Sequence, residues 1–120
     1  MKNICLITIT LLLISCSPKQ EIKLTKLVGS PKYSDSELKL SEVSGEYDFS
    51  FDILNYNLGE QTKDAIENGL ANSAKGQHIH FIVNNDPYSA HYKSNFSKEL
   101  EADNNVILAF LSRSYHESVK

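Results

Sequence analysis

The sequence predicts an all-β domain, an immunoglobulin-like antiparallel β-sandwich over residues 33–120, incomplete at its C-terminal end. Three observations carry that expectation. Tyr47, Phe49, Phe51 and Ile53 alternate with Glu46, Asp48, Ser50 and Asp52, a period of two that gives a strand one apolar face. Gln77 to Tyr92 alternates again on both sides of "NNDP", as a hairpin does. Short β-rich runs recur between turn signals along the rest of the chain, giving about seven strands in all.

The first element is not part of that domain. Met1 to Ser15 places one lysine ahead of an apolar run from Ile4 to Ile14. Such a run is a secretory signal, too short to cross roughly 30 Å of hydrocarbon as a helix. It ends in Leu13-Ile14-Ser15-Cys16, which resembles the lipobox of bacterial lipoproteins, where the cysteine is acylated and becomes the mature N-terminus. The resemblance implies that Cys16 is lipidated and that the protein meets the bilayer through its acyl chains. Each buried CH₂ contributes about 0.8 kcal/mol, so several chains together hold the membrane stably. Ser17 differs from the aspartate retention signal of enteric bacteria, which points to the cell envelope at the outer membrane.

Cys5 leaves with the signal and Cys16 is consumed by lipid, so the mature domain has no disulfide. It stands on its hydrophobic core alone. A net charge of −3 with Arg113 as the only arginine argues against nucleic acid as a partner.

Residues 16–32, rich in proline, glycine, serine and lysine, form a tether, within which Ile22 to Val28 alternates enough for an edge strand. Leu38, Leu40 and Val43 mark the next strand, and the Tyr47–Ile53 run the one after it. Beyond Ile53 the apolar phase flips to Leu54, Tyr56 and Leu58, as a β-bulge or a change of sheet would require. Gly59 to Gly76 is either two helical turns capped at Thr62 and stopped near Gly69, or a long crossover loop of the kind that often carries function. Phe96 to Leu100 is a short strand, and Val106 to Leu111, apolar on both faces, is a central strand covered on both sides. The closing "SRSYHESVK" reads as the continuation of that strand.

The hairpin holds three of the four histidines. Pro87 lacks the N–H that a two-residue turn at Asn85-Asp86 needs, so a loop closed by Val83 opposite Tyr88 is expected. That register sets Ile79 opposite Tyr92, Phe81 opposite Ala90 and His80 opposite His91, gathering the apolar residues on one face. His78, His80 and His91 then converge on the other face, a three-imidazole set suited to zinc or copper. The plainer alternative is a polar face, or histidines hydrogen-bonded to each other and to the loop after Gly59.

Ser112, Arg113, Ser114 and His116 form a second candidate site. Arginine among serine hydroxyls suits bidentate capture of a phosphate or carboxylate, hence an anionic or phosphorylated peptide partner. The segment resembles the S-R-x-H of forkhead-associated phosphopeptide-binding domains, with one extra residue before His116 and no preceding Gly-Arg. In an extended strand Arg113 and His116 point to opposite faces. An ion pair with a carboxylate such as Glu117 is the structural alternative for Arg113.

Together, "GQHIHFIVNNDPY" and "NNVILAFLSRSYHES" resemble a family of small lipoproteins from flavobacteria and their relatives, over about Tyr56 to Lys120. Members are described as hypothetical or phosphopeptide-binding lipoproteins. The resemblance implies a lipid-anchored β-sandwich and supports an anion ligand. Three functions compete: a non-catalytic binding module using the histidine face for a metal or polar partner, an anion binder at Ser112–Ser114, and a metal-assisted hydrolase. The last lacks an acidic base at helpful spacing to the histidines, so the chain is not expected to be an enzyme.

Overall fold

The computed structural model describes residues 21–24, 29–45, 47–101 and 103–119. The signal segment, Cys16 and residues 25–28 of the expected edge strand lie outside the described residues; residues 21–24 are exposed and carry no strand. Six strands are described: β1 (Glu37–Ser44), β2 (Asp48–Leu54), β3 (His78–Val83), β4 (Ser89–His91), β5 (Asn95–Ser97) and β6 (Ile107–Ser112). They form two antiparallel three-stranded sheets, ordered β1-β2-β5 and β4-β3-β6. The all-β expectation holds. Among the described residues no helix is long and apolar enough to cross a membrane.

β2 follows its sequence pattern. Phe49 and Phe51 are buried while Asp48 and Asp52 are exposed. β1 pairs with β2 through a bulge between Leu40 and Glu42. That bulge explains an irregular spacing: Leu38 and Leu40 lie two apart and Val43 three further, yet all line the same apolar cavity of about 380 Å³. The phase flip after Ile53 has a different cause from the bulge or sheet change expected there. β2 ends at Leu54, and Asn55 takes a left-handed φ of 52°, which turns Tyr56 into the core.

The sheets share one core, in which Phe49 and Phe51 meet Ile79, Phe81, Val83 and Leu111. Phe81 is its centre, edge-on to Phe49 at 4.9 Å and to Phe96 at 5.1 Å. β3, not the apolar β6, is the central strand of its sheet. Val106, just ahead of β6, is 74 % exposed, so continuous hydrophobicity there does not mark coverage on both sides.

Residues 59–76 form turns rather than a helix. Thr62 is no helix cap: its N–H donates to Ser114 Oγ at 3.1 Å, and its Oγ1 accepts from Ser114 N–H at 3.0 Å. This reciprocal pair fastens the long loop to the segment after β6. That segment does not continue the strand. Arg113 N–H donates to Glu117 O at 2.8 Å and Val119 N–H to Leu111 O at 2.9 Å, so the chain reverses and runs back beside β6.

Candidate metal centre

The hairpin register differs by one residue from the sequence expectation. Ile79 lies opposite His91, His80 opposite Ala90 and Phe81 opposite Ser89. A slip of one residue sends every side chain of the second strand to the other face. His91 therefore leaves the histidine face and joins the core side, and the expected set of His78, His80 and His91 does not assemble. The sequence pattern places Tyr88 and Tyr92 on the apolar face with Ile79, Phe81 and Val83. In the structure they lie against the histidines instead, Tyr88 stacked on His80 at 3.9 Å and 8°, Tyr92 tilted against His78 at 5.1 Å and 46°. Their hydroxyls stay polar-bonded, Tyr88 to His116 Nδ1 at 3.3 Å and Tyr92 to Ser73 Oγ at 2.9 Å. Tyrosine offers an apolar ring with a wet tip, and this face uses both. His91 is accommodated inside by stacking on Phe96 at 3.5 Å and bonding Ser89 Oγ at 2.9 Å. Burial, with Lys98 nearby, lowers its pKa and favours the neutral ring.

His116 supplies the third imidazole. β6 pairs antiparallel with β3, Ser112 opposite His78, so the reversal after Ser112 begins beside the His-x-His pair. His116 N–H donates to Arg113 O at 2.9 Å, and His116 has a left-handed φ of 68°. The turn brings its ring to 5.0 Å from that of His78 and 5.9 Å from that of His80. One nitrogen from each of the three lies within 4.8 Å of the others. The parity objection to grouping Arg113 with His116 does not apply, because these residues are not extended.

The bonding within the cluster fixes the protons. His78 Nδ1 lies 2.8 Å from Gly76 O and, facing a carbonyl, must carry the hydrogen. Its Nε2 is therefore the acceptor for His80 Nε2–H at 2.9 Å. Held in this way, His78 presents a bare nitrogen toward the cluster, as metal-binding histidines do when their other nitrogen donates to a carbonyl. The carbonyl itself is anchored. Gly76 has φ +86°, and a Cβ there would meet Gly59 O at 2.5 Å and Glu60 O at 2.6 Å, so only glycine lets the two backbones cross.

His78 is 0 % and His80 6 % exposed. Burial, then the neighbouring His78 and His116, pushes the His80 pKa down to about 4; burial also lowers that of His78. Both rings are neutral at pH 7, the form that ligates metal without first losing a proton. Phe110, 5.0 Å from His80, completes the aromatic wall.

The second predicted site is arranged differently. Ser112, Arg113 and Ser114 are all buried. Ser114 is spent on Thr62, and Ser112 Oγ donates to the Arg113 carbonyl at 3.2 Å. The guanidinium donates from Nη1 to Ser118 O at 2.6 Å and from Nη2 to Pro31 O at 2.5 Å, with Glu117 at 3.7 Å. Its donors tie loops together instead of forming a surface fork, and His116 belongs with the other histidines. A cavity of about 880 Å³, lined by Glu37, Lys39, Asp52 and Lys93 among others, contains none of these residues.

The sequence had no direct signal for His116 as a partner of His78 and His80. It follows only from the β3–β6 register and the reversal after Ser112. Compared with known proteins, the chain matches no family model, no curated protein and no solved structure.

Proposed function

We propose that this protein is a lipid-anchored, non-catalytic binding module of the cell envelope, akin to the small flavobacterial lipoproteins it resembles, and that His78, His80 and His116 hold a zinc or copper ion. The observation that carries the proposal is the pair of buried, neutral imidazoles whose Nε2 atoms face each other at 2.9 Å, with a third histidine within reach. Burying two imidazoles is costly unless their nitrogens are bonded; without metal the two Nε2 atoms share one hydrogen, and an ion would take the place of that hydrogen between them. Ligation requires His80 to carry its hydrogen on Nδ1 instead of Nε2, a tautomer change without change of charge. The cluster is all imidazole, which supplies ligands but no carboxylate base, so a holding role is better supported than hydrolysis. An anion site at Arg113 has less support, because backbone carbonyls take up its terminal nitrogens. Isothermal titration of metal-depleted protein with zinc and with copper tests the proposal. One equivalent bound at pH 7.5, and none after His80→Ala, is expected; no uptake by the wild type overturns it.

A further inference from the structure

We infer that β6 is a self-association edge, along which two copies of this chain join antiparallel with Ile107 against Ile107 on a twofold axis. The inference does not depend on the metal-binding proposal.

An unpaired edge strand is a template for another chain, and folded proteins blunt such edges with charge, bulges or short length. The two sheets have four edges, β1, β5, β4 and β6. β1 carries Glu37, Lys39 and Glu42 and is interrupted by its bulge. β4 and β5 are three residues each. β6 has none of these protections. It is six residues long, and from Asn104 to Ser112 the chain has no ionisable side chain, proline or glycine.

Backbone polarity shows which part of that edge is open. Asn84 N–H donates to Val106 O at 2.7 Å, on the side of β3. In an antiparallel ladder the N–H and C=O of Leu108, Phe110 and Ser112 then also face β3, and those of Ile107, Ala109, Leu111 and Arg113 face outward. Leu111 O and Arg113 N–H are taken by Val119 and Glu117. Among the described residues nothing pairs with the outward groups of Ile107 and Ala109.

The side chains fit a second copy in that place. With Ile107 on the axis, its N–H and C=O exchange two bonds with those of the other Ile107, and Val106 falls opposite Leu108 of the second copy on both sides of the axis. Val106 and Leu108 are both exposed in the single chain, and each covers the other in the pair. On the opposite face Ile107 stands with Leu40 and Val43 at the apolar cavity of about 380 Å³, all three partly exposed, and the second Ile107 closes over it. The bend at Asp103 and Asn104 turns the incoming chain off the ladder before it meets Val119. Each chain carries a net charge of −3, yet pairing these uncharged strands opposes no like charges. The contact is isologous, so each open edge is consumed by the other and assembly stops at a dimer.

The experiment uses the full chain in detergent, treated with chelator so that no metal bridges copies. Sedimentation equilibrium in density-matched detergent should show a monomer–dimer equilibrium for the wild type. Leu108→Lys, at an exposed position, should keep the wild-type far-ultraviolet circular dichroism and associate at least tenfold more weakly. Oxidation of Ile107→Cys should link two copies through position 107, because hydrogen-bonded antiparallel partners have Cα atoms about 5.5 Å apart, within disulfide range. Val43→Cys, equally accessible but on β1, should not link. A wild type that stays monomeric, a dimer that survives Leu108→Lys, open-ended oligomers, or linking through position 43 in place of 107 overturns the inference.

Discussion

Metal-free protein should lose stability as the pH falls from about 6.5 to about 4, and His80 should cause most of that loss. Its folded pKa is depressed to about 4 from an ordinary 6.5 because the ring is buried beside two other imidazoles. The unfolded chain therefore takes up the proton first, and below pH 6.5 protonation favours unfolding. The contribution is complete above the unfolded pKa and is lost as pH falls through the window to the folded value. A separation of about 2.5 units at 1.36 kcal/mol each sets a ceiling on the order of 3 kcal/mol. Water reaching the cluster through the exposed His116 lowers it toward about 2 kcal/mol. Urea unfolding of chelator-treated protein at pH 7.5, 6, 5 and 4.5 measures it, and the same series on His80→Asn subtracts what the other buried imidazoles, His78 and His91, contribute. The wild type should lose about 2–3 kcal/mol more than the variant across the window. Parallel curves, or an imidazole resonance of His80 titrating near pH 6.5, would refute the burial argument.

Gly76→Ala drives a Cβ into the carbonyls of Gly59 and Glu60 and displaces the carbonyl that holds His78. Loss of about 2 kcal/mol or more in chemical denaturation, with at least tenfold weaker metal binding in titration, is expected. Arg113→Lys keeps the charge but cannot reach both Pro31 O and Ser118 O; the fold should weaken by about 1–3 kcal/mol in thermal unfolding while metal affinity is unchanged. An unchanged melting temperature would return Arg113 to a ligand-binding role. Cys16→Ala should move the protein from the membrane to the soluble fraction, and mass spectrometry of the wild type should find acyl chains on that residue.

The strands that alternate cleanly were legible. β2 and β3 are both legible from a period of two in the sequence; burial alternates along β2, whereas β3 is buried on both faces except at Ile82. The β1 bulge was not, because Leu38, Leu40 and Val43 show only that the period breaks, not how the strand absorbs it. The hairpin register failed for a physical reason: Tyr88 and Tyr92 were counted as apolar, yet each covers an imidazole while its hydroxyl stays hydrogen-bonded. A pattern that treats tyrosine as a core residue gains two apolar matches at the cost of placing His91 wrongly. Of the candidate centre, His78 and His80 were visible as a His-x-His on one strand. His116 was visible only as a neighbour of Arg113, since its position depends on a chain reversal that sequence periodicity does not encode.

In the proposed centre His116, and not His91, is the third ligand. The most direct measurement is the stabilisation by zinc of the wild type, His116→Ala and His91→Ala at pH 7.5, with free metal a hundredfold above the wild-type Kd. The wild type should gain about 2.7 kcal/mol over its metal-free form. His91→Ala should be less stable without metal, having lost its stack on Phe96, yet should gain nearly the same amount from zinc. His116→Ala, which loses an exposed ring and its hydrogen bond to Tyr88, should start slightly below wild-type stability and lose most of the gain. A full gain in His116→Ala, or its loss in His91→Ala alone, would contradict the account.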